Sequence, residues 1–248
     1  MATNLSVSEG RREARDLLIV LAKCPVPGIT KTRLGQVIGN ENAAKLYSAF
    51  LADLAPRFTP KPEPPAFDVC WLYMPDKRDF RDLILHLQNN DTQLQAVTLG
   101  NTCFAGHALP GLGQQQIEQL QWSRDAGYRH TVIVTTDSPH VQRSHIQRAF
   151  DLLETNDITI GRTEDGGYYL LGMCPHLSIL ENITMSTDHV ADDIILKAHT
   201  LELKVAYLET LQDIDNWGDL NAFVGLIQPL RGAPCPQTWR ALCDLGLV

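Results

Sequence analysis

The 248-residue chain is 44% hydrophobic and 20% charged, so it can bury a sizeable core without a disulfide or metal staple. A formal charge of -8 and a pI near 5.4 argue against a protein whose main task is gripping nucleic acid, because that affinity comes from massed Lys and Arg. The first sixteen residues are polar where a signal peptide needs an apolar segment, no run approaches the ~20 apolar residues of a membrane span, and six scattered cysteines lack zinc-site spacing; together these predict a cytoplasmic protein with reduced thiols.

Leu17 to Ala22 (LLIVLA) is a continuous apolar run, the pattern of a strand buried on both faces of a parallel sheet. Asn40 is the expected N-cap of a helix whose inward stripe is Ala43, Leu46, Tyr47, Phe50, Leu51 and Leu54. Thr59 to Asp68 is too proline-rich for a helix or a central strand and reads as a surface connection. Further strands are predicted at Val69 to Met74, Leu94 to Leu99, Thr131 to Thr136, Ile158 to Ile160, Tyr168 to Met173 and Leu203 to Tyr207. Helical patterns fall at Phe80 to Leu87, Gln114 to Ala126, Val141 to Leu153 and Val190 to His199. This alternation predicts one α/β domain over residues 17–225, a mostly parallel twisted sheet between two layers of helices. Residues 1–16 form a polar lead-in and residues 226–248 a C-terminal appendage. Ligands of such sheets bind beyond the carboxyl ends of the strands, which points to the loops after Ala22 and Thr136.

The first of these loops, AKCPVPGITKTRL, combines Gly28 with Lys23, Lys31 and Arg33, three cations able to hold phosphate oxygens; the bland reading is a solvated surface turn. It is no Walker P-loop, because Thr30 and Pro25 stand where that motif needs glycine. In VIVTTDSPHV a strand ends at Asp137, with Pro139 suited to the first turn of a following helix; Asp137 is placed either to bind a hard cation or to cap that helix. In IGRTEDGGYYLLG, Gly166 and Gly167 follow Glu164 and Asp165, as in a loop wrapped around a ligand or a tight hairpin turn. Asp213 and Asp215 in LQDIDNWGDL are spaced to point one way and to share a divalent cation, with Asp215 or Asn216 alternatively capping the helix near Trp217. Ser186, Thr187 and Asp188 look like a helix N-cap, and the histidines form no Ser-His-Asp or Cys-His arrangement.

Taken in order, KCPVPGITKTRL, TTDSPHV, GRTEDGGYYLLG, STDHV and LQDIDNWGDL resemble a bacterial family of GT-A-like glycosyltransferases related to the molybdenum-cofactor and phospholactate guanylyltransferases. The resemblance spans Leu17 to Phe223 and implies a three-layer α/β/α nucleotide-diphospho-sugar transferase fold. By that resemblance Gly28, Lys31 and Arg33 face nucleotide phosphates, Asp137, Asp213 and Asp215 bind Mg²⁺ or Mn²⁺, and Asp165, Gly166 and Gly167 shape the acceptor or sugar side. The partners implied are a nucleotide sugar or a nucleoside triphosphate together with a small-molecule acceptor; a non-catalytic nucleotide-binding protein is the rival reading. The chain departs from the family pattern in two places: Gly113 to Gln116 reads Gly-Gln-Gln-Gln where the family carries Gly-Glu-Arg, and Met185 stands in place of Trp.

Overall fold

The computed structural model describes residues 15–59, 67–74, 78–89, 102–106 and 112–248. Among the described residues seven strands form one sheet: β1 (Leu17–Lys23), β2 (Asp68–Met74), β3 (Thr102–Gly106), β4 (Thr131–Thr135), β5 (Ile158–Arg162), β6 (Tyr168–Met173) and β7 (Val205–Tyr207). Their spatial order is β3-β2-β1-β4-β6-β5-β7. β6 runs antiparallel to both of its neighbours, β4 and β5, and the other pairings are parallel. The apolar run Leu17–Ala22 has the composition it does because β1 lies between β2 and β4, so neither face nor edge meets water.

Alternate residues of β1 feed two cores. Leu18, Val20 and Ala22 pack beneath α2 (Asn40–Phe58), α3 (Arg78–Asn89), α5 (Arg143–Leu153), α7 (Trp217–Ile227) and α8 (Pro236–Asp244). Leu17, Ile19 and Leu21 pack on the opposite face against α4 (Leu112–Asp125) and α6 (Val190–Thr200). The result is the three-layer α/β/α arrangement with a mostly parallel sheet. Among the described residues no helix is long and apolar enough to cross a membrane.

Several local expectations are corrected. Asn40 is the first residue of α2 and Gly39 occupies the cap; the Asn40 side chain lies instead beside Gly28 and Gly35. A short helix, α1 (Thr32–Ile38), follows the first loop where no helix was expected. Pro139 does not open a helix: α5 starts at Arg143 with Gln142 as its cap, and the Arg57 guanidinium takes the carbonyls of Pro139 and Val141 at 2.7 and 2.9 Å, satisfying the turn from outside. His189, not Ser186 to Asp188, is the N-cap of α6, and Ser186 has φ 62°. The strand predicted at Leu94 to Leu99 lies outside the described residues, and β3 forms just after it.

The C-terminal residues dock on α2. Asp53, a buried residue of α2, accepts hydrogen bonds from the backbone amides of Gln237 and Thr238 at 3.0 and 2.8 Å and from the Thr238 hydroxyl at 2.7 Å. These are the amides that a helix start leaves without an internal partner, so Asp53 caps α8 from a distance. Arg57, one turn later, donates to the Pro234 carbonyl at 2.5 Å.

Candidate active site

The carboxyl ends of β1 and β4, the amino end of the reversed β6 and the segment after β7 meet around one cavity of about 660 Å³. Reversal of β6 is what matters here: it brings Asp165, Gly167 and Tyr168 to the same sheet edge as Lys23 and Asp137. Tyr47 of α2 stitches the two central strands together behind the cavity. The Thr136 hydroxyl donates to the Leu21 carbonyl at 3.0 Å, so the Tyr47 hydroxyl, 2.6 Å away, donates to Thr136 and accepts from the Lys23 amide at 2.9 Å. Burial keeps this phenol protonated, well above the usual tyrosine range.

Lys31 sits at the floor with φ 52°, in the left-handed region, and its side chain is 2% exposed. Its ammonium is in contact with Asp137 and lies 2.8 Å from Asp215. A non-glycine residue in this conformation costs about 1–3 kcal/mol, and two ion pairs at one ammonium are what hold it there. Burial alone would pull Lys31 down, but the two carboxylates more than offset it and leave the ammonium charged above the ordinary lysine range. In return Lys31 holds Asp215 below the usual carboxylate range, against burial. Arg33 stands further out, 3.9 Å from Asp215, with a side chain 75% exposed.

Asp213 behaves oppositely. It is buried, and burial together with the carboxylates of Asp165, Asp215 and Asp219 pushes it up to about 7. Among the described residues its Oδ1 has no hydrogen-bond partner, although a buried carboxylate oxygen normally has one. Asp165 is fixed by its own loop, accepting from the Thr163 hydroxyl at 2.6 Å and the Gly167 amide at 2.9 Å. That loop is also a tight turn, with the Gly166 amide on the Thr163 carbonyl at 3.1 Å, so the turn and ligand-loop readings are compatible. Gly166, at φ 89°, is required: a Cβ there would lie 1.7 Å from the Asp188 carbonyl oxygen.

The structure thus gathers Lys23, Lys31, Arg33, Asp137, Asp165, Gly167, Asp213 and Asp215 around the cavity, while Gly28 and Gly166 are not among its lining residues. Gly28, at φ 76°, turns the first loop. Asn216 caps α7, accepting from the amides of Gly218 and Asp219 at 2.7 and 3.1 Å, so the capping reading holds for Asn216 and leaves both aspartates to the cavity. Sequence reasoning passed over Asp219, Gln116, Tyr168, Thr187 and Asp188 as cavity residues. Asp219 carried a legible signal, the Asn-x-x-Asp capping box, and it accepts from the Asp215 and Asn216 amides at 2.9 and 3.0 Å. In the sequence Gln116 and Met185 stand out only as departures from the family pattern.

Among the described residues the lining carries three cations, Lys23, Lys31 and Arg33, against the carboxylates of Asp137, Asp165, Asp188, Asp213, Asp215 and Asp219. Among the described residues no three His, Cys, Asp or Glu side chains close on a single point as a metal cage. A cation bound here would take one or two carboxylates with the rest of its ligands supplied by a phosphate, the usual habit of Mg²⁺. The unpartnered Asp213 oxygen fits such a role.

Residues 76–187 match the family described as "Uncharacterized protein conserved in bacteria (DUF2064)". A crystal structure from Desulfovibrio desulfuricans G20, of a protein named as a nucleotide-diphospho-sugar transferase, superposes with a TM-score of 0.77 at 25% identity, over 94% of this chain and 97% of that one. The 4-diphosphocytidyl-2C-methyl-D-erythritol synthase of Anaerococcus prevotii DSM 20548 has the same fold at TM-score 0.52 and 11% identity, over 86% of this chain and 96% of that one. A cytidylyltransferase of Leptospira borgpetersenii serovar Hardjo-bovis matches at TM-score 0.52 and 14% identity, over 87% of each chain. No curated protein matches the sequence. The fold is that of the nucleotide-diphospho-sugar transferases.

Proposed function

We propose that this chain is a metal-dependent transferase acting on a nucleotide-activated donor, with glycosyl transfer from a nucleotide sugar as its reaction. The observation that carries this reading is the buried Lys31 ammonium clamped between Asp137 and Asp215, on a cavity that Lys23 and Arg33 also line. Among the described lining residues carboxylates outnumber cations even with Asp213 partly protonated, so a diphosphate would need added positive charge to bind here. Asp137, Asp213 and Asp215 would hold Mg²⁺ or Mn²⁺, which when bound neutralises charge on the leaving diphosphate.

The chain's own residues divide the remaining work. Lys31 is too deeply engaged to leave its carboxylates, so it orients Asp137 and Asp215 rather than gripping phosphate. Lys23 and Arg33, which also line the cavity, would meet the outer phosphate oxygens. Asp165, fixed by Thr163 and Gly167, takes the proton of the acceptor hydroxyl. The acceptor oxygen then bonds to the anomeric carbon, and the carbon–oxygen bond to the diphosphate breaks with the electron pair leaving on the nucleoside diphosphate. Positioning and electrostatics supply most of the rate.

The test is product analysis with nucleotide sugars and nucleoside triphosphates, each with Mg²⁺, Mn²⁺ or EDTA, on the wild type and Asp137→Asn. Metal-dependent release of nucleoside diphosphate from a nucleotide sugar, lost in the variant, is expected. Pyrophosphate release from a triphosphate would reassign the reaction to nucleotidyl transfer. Tight nucleotide binding without turnover of any donor would make the protein a sensor, and no binding of any nucleotide would end the whole reading.

A further inference from the structure

The cavity wall beyond the ion pairs has a different chemistry. Gln116 of α4 lines it and is 1% exposed. Its Oε1 accepts from the Tyr168 hydroxyl at 2.7 Å, which turns the amide nitrogen the other way. Burial pushes that phenol up to about 12, so the donor is permanent at any physiological pH. Among the described residues Gln116 Nε2 is buried with no hydrogen-bond partner, and so is the Oγ1 of Thr187, another lining residue. The segment carrying Thr187 is held in an unusual course, with Ser186 at φ 62°, and Met185 brings its thioether within 4.0 Å of the Tyr168 hydroxyl.

Two buried polar atoms without partners on one wall of one cavity are a desolvation cost that a ligand can recover. Both are neutral groups, and two carboxylates of the same lining lie close to this wall along the chain, Asp188 next to Thr187 and Asp165 three residues before Tyr168. A phosphate or carboxylate placed here would meet repulsion; a hydroxyl would meet a donor from Gln116 and a donor or acceptor from Thr187. Met185 and Val190 offer apolar surface to the carbon skeleton between such hydroxyls.

We infer that this wall, built from Gln116, Tyr168, Met185 and Thr187, is the acceptor subsite and selects an uncharged polyhydroxylated acceptor, with Gln116 Nε2 as the discriminating donor. The inference rests on the transferase reading above and narrows it: the acceptor is an alcohol, not a phosphate or an acid. The same chemistry would serve a free sugar or a simple polyol, and the probes below separate the two.

Saturation-transfer NMR on the full chain, saturated with Mn²⁺-free nucleoside diphosphate and Mg²⁺, with D-glucose, D-galactose, glycerol, glucose 1-phosphate and 3-phosphoglycerate as probes, tests it. At least one neutral probe is expected to bind, with the phosphorylated probes at least tenfold weaker. Preference for the hexoses names a sugar acceptor, and equal binding of glycerol names a polyol. Gln116→Glu keeps the oxygen that receives the Tyr168 hydroxyl and removes the donor, so neutral probes should weaken about tenfold, as the loss of one hydrogen bond predicts. Gln116→Leu, checked by its melting curve, should do the same. Nucleoside diphosphate should bind all three proteins alike. If phosphorylated probes bind as well as neutral ones, or if no neutral probe binds while the nucleotide does, the subsite assignment is wrong and the transferase reading survives; if the nucleotide itself does not bind, the transferase reading fails first.

Discussion

Replacing Asp213 with asparagine is expected to stabilise the metal-free protein at pH 8. Burial, and then the carboxylates of Asp165, Asp215 and Asp219, raise Asp213 from an ordinary 3.8 to about 7. The folded state therefore keeps a proton that the unfolded chain has already released between those values. For an acid raised in this way, the stabilisation is fully present below about 3.8 and is lost as the pH climbs through 7. At about 1.36 kcal/mol per pH unit the ceiling is roughly 4 kcal/mol. Water in the open cavity and salt screening reduce this to about 2 kcal/mol. Asparagine keeps the shape and removes the charge, so urea unfolding in EDTA should show a small difference at pH 4 that grows to a plateau near 2 kcal/mol above pH 7, at unchanged m value. A variant less stable than wild type at pH 8, or a difference that is flat with pH, would refute the electrostatic account. The same substitution should abolish the response to Mn²⁺, separating what the residue costs the fold from what it does for the ligand.

Lys31→Met is expected to destabilise by about 2 kcal/mol, less than for a fully buried ion pair because Asp137 and Asp215 are 29% and 39% exposed. Since Lys31 holds Asp215 below its usual range, that loss should be larger at pH 7 than at pH 3 in the same urea assay. Gly166→Ala should cost at least about 2 kcal/mol and lower Tm by about 4–8 °C, because the added carbon meets the Asp188 carbonyl in a left-handed turn. Asp53→Ala should cost about 1–2 kcal/mol and raise hydrogen exchange at Gln237 and Thr238. Arg33→Ala should leave the melting curve within about 0.5 kcal/mol of wild type, since its ion pair is long and exposed, while weakening nucleotide binding; an unchanged affinity would remove Arg33 from the phosphate site.

Periodicity made the alternating strands and helices legible. β1 announces itself because a strand flanked on both edges and both faces leaves no position for a polar side chain, and α2 because its stripe of Ala43, Leu46, Tyr47, Phe50 and Leu54 must face one sheet. The clustered Lys, Asp and Gly motifs were also visible as composition beside predicted strand ends. Local capping was read less well, as at Asn40 and Ser186, because a capping residue type is common and its geometry depends on what packs against it.

What the sequence alone determined was the α/β alternation and the residue types available to a site. Which of those residues meet was decided by tertiary structure. Lys31 and Asp215 are 184 positions apart, and nothing local to either says that the lysine spends its charge on a carboxylate rather than on a phosphate. The reversal of β6 carries Asp165 and Tyr168 to the cavity edge, and the packing of α4 presents Gln116 to Tyr168. The pKa of Asp213 and the unpartnered atoms of Gln116 and Thr187 exist only once burial removes water and fixes the neighbours. Periodicity is a property of adjacent residues along a chain, whereas electrostatic and hydrogen-bonding partners are chosen through space, after the sheet order has been set.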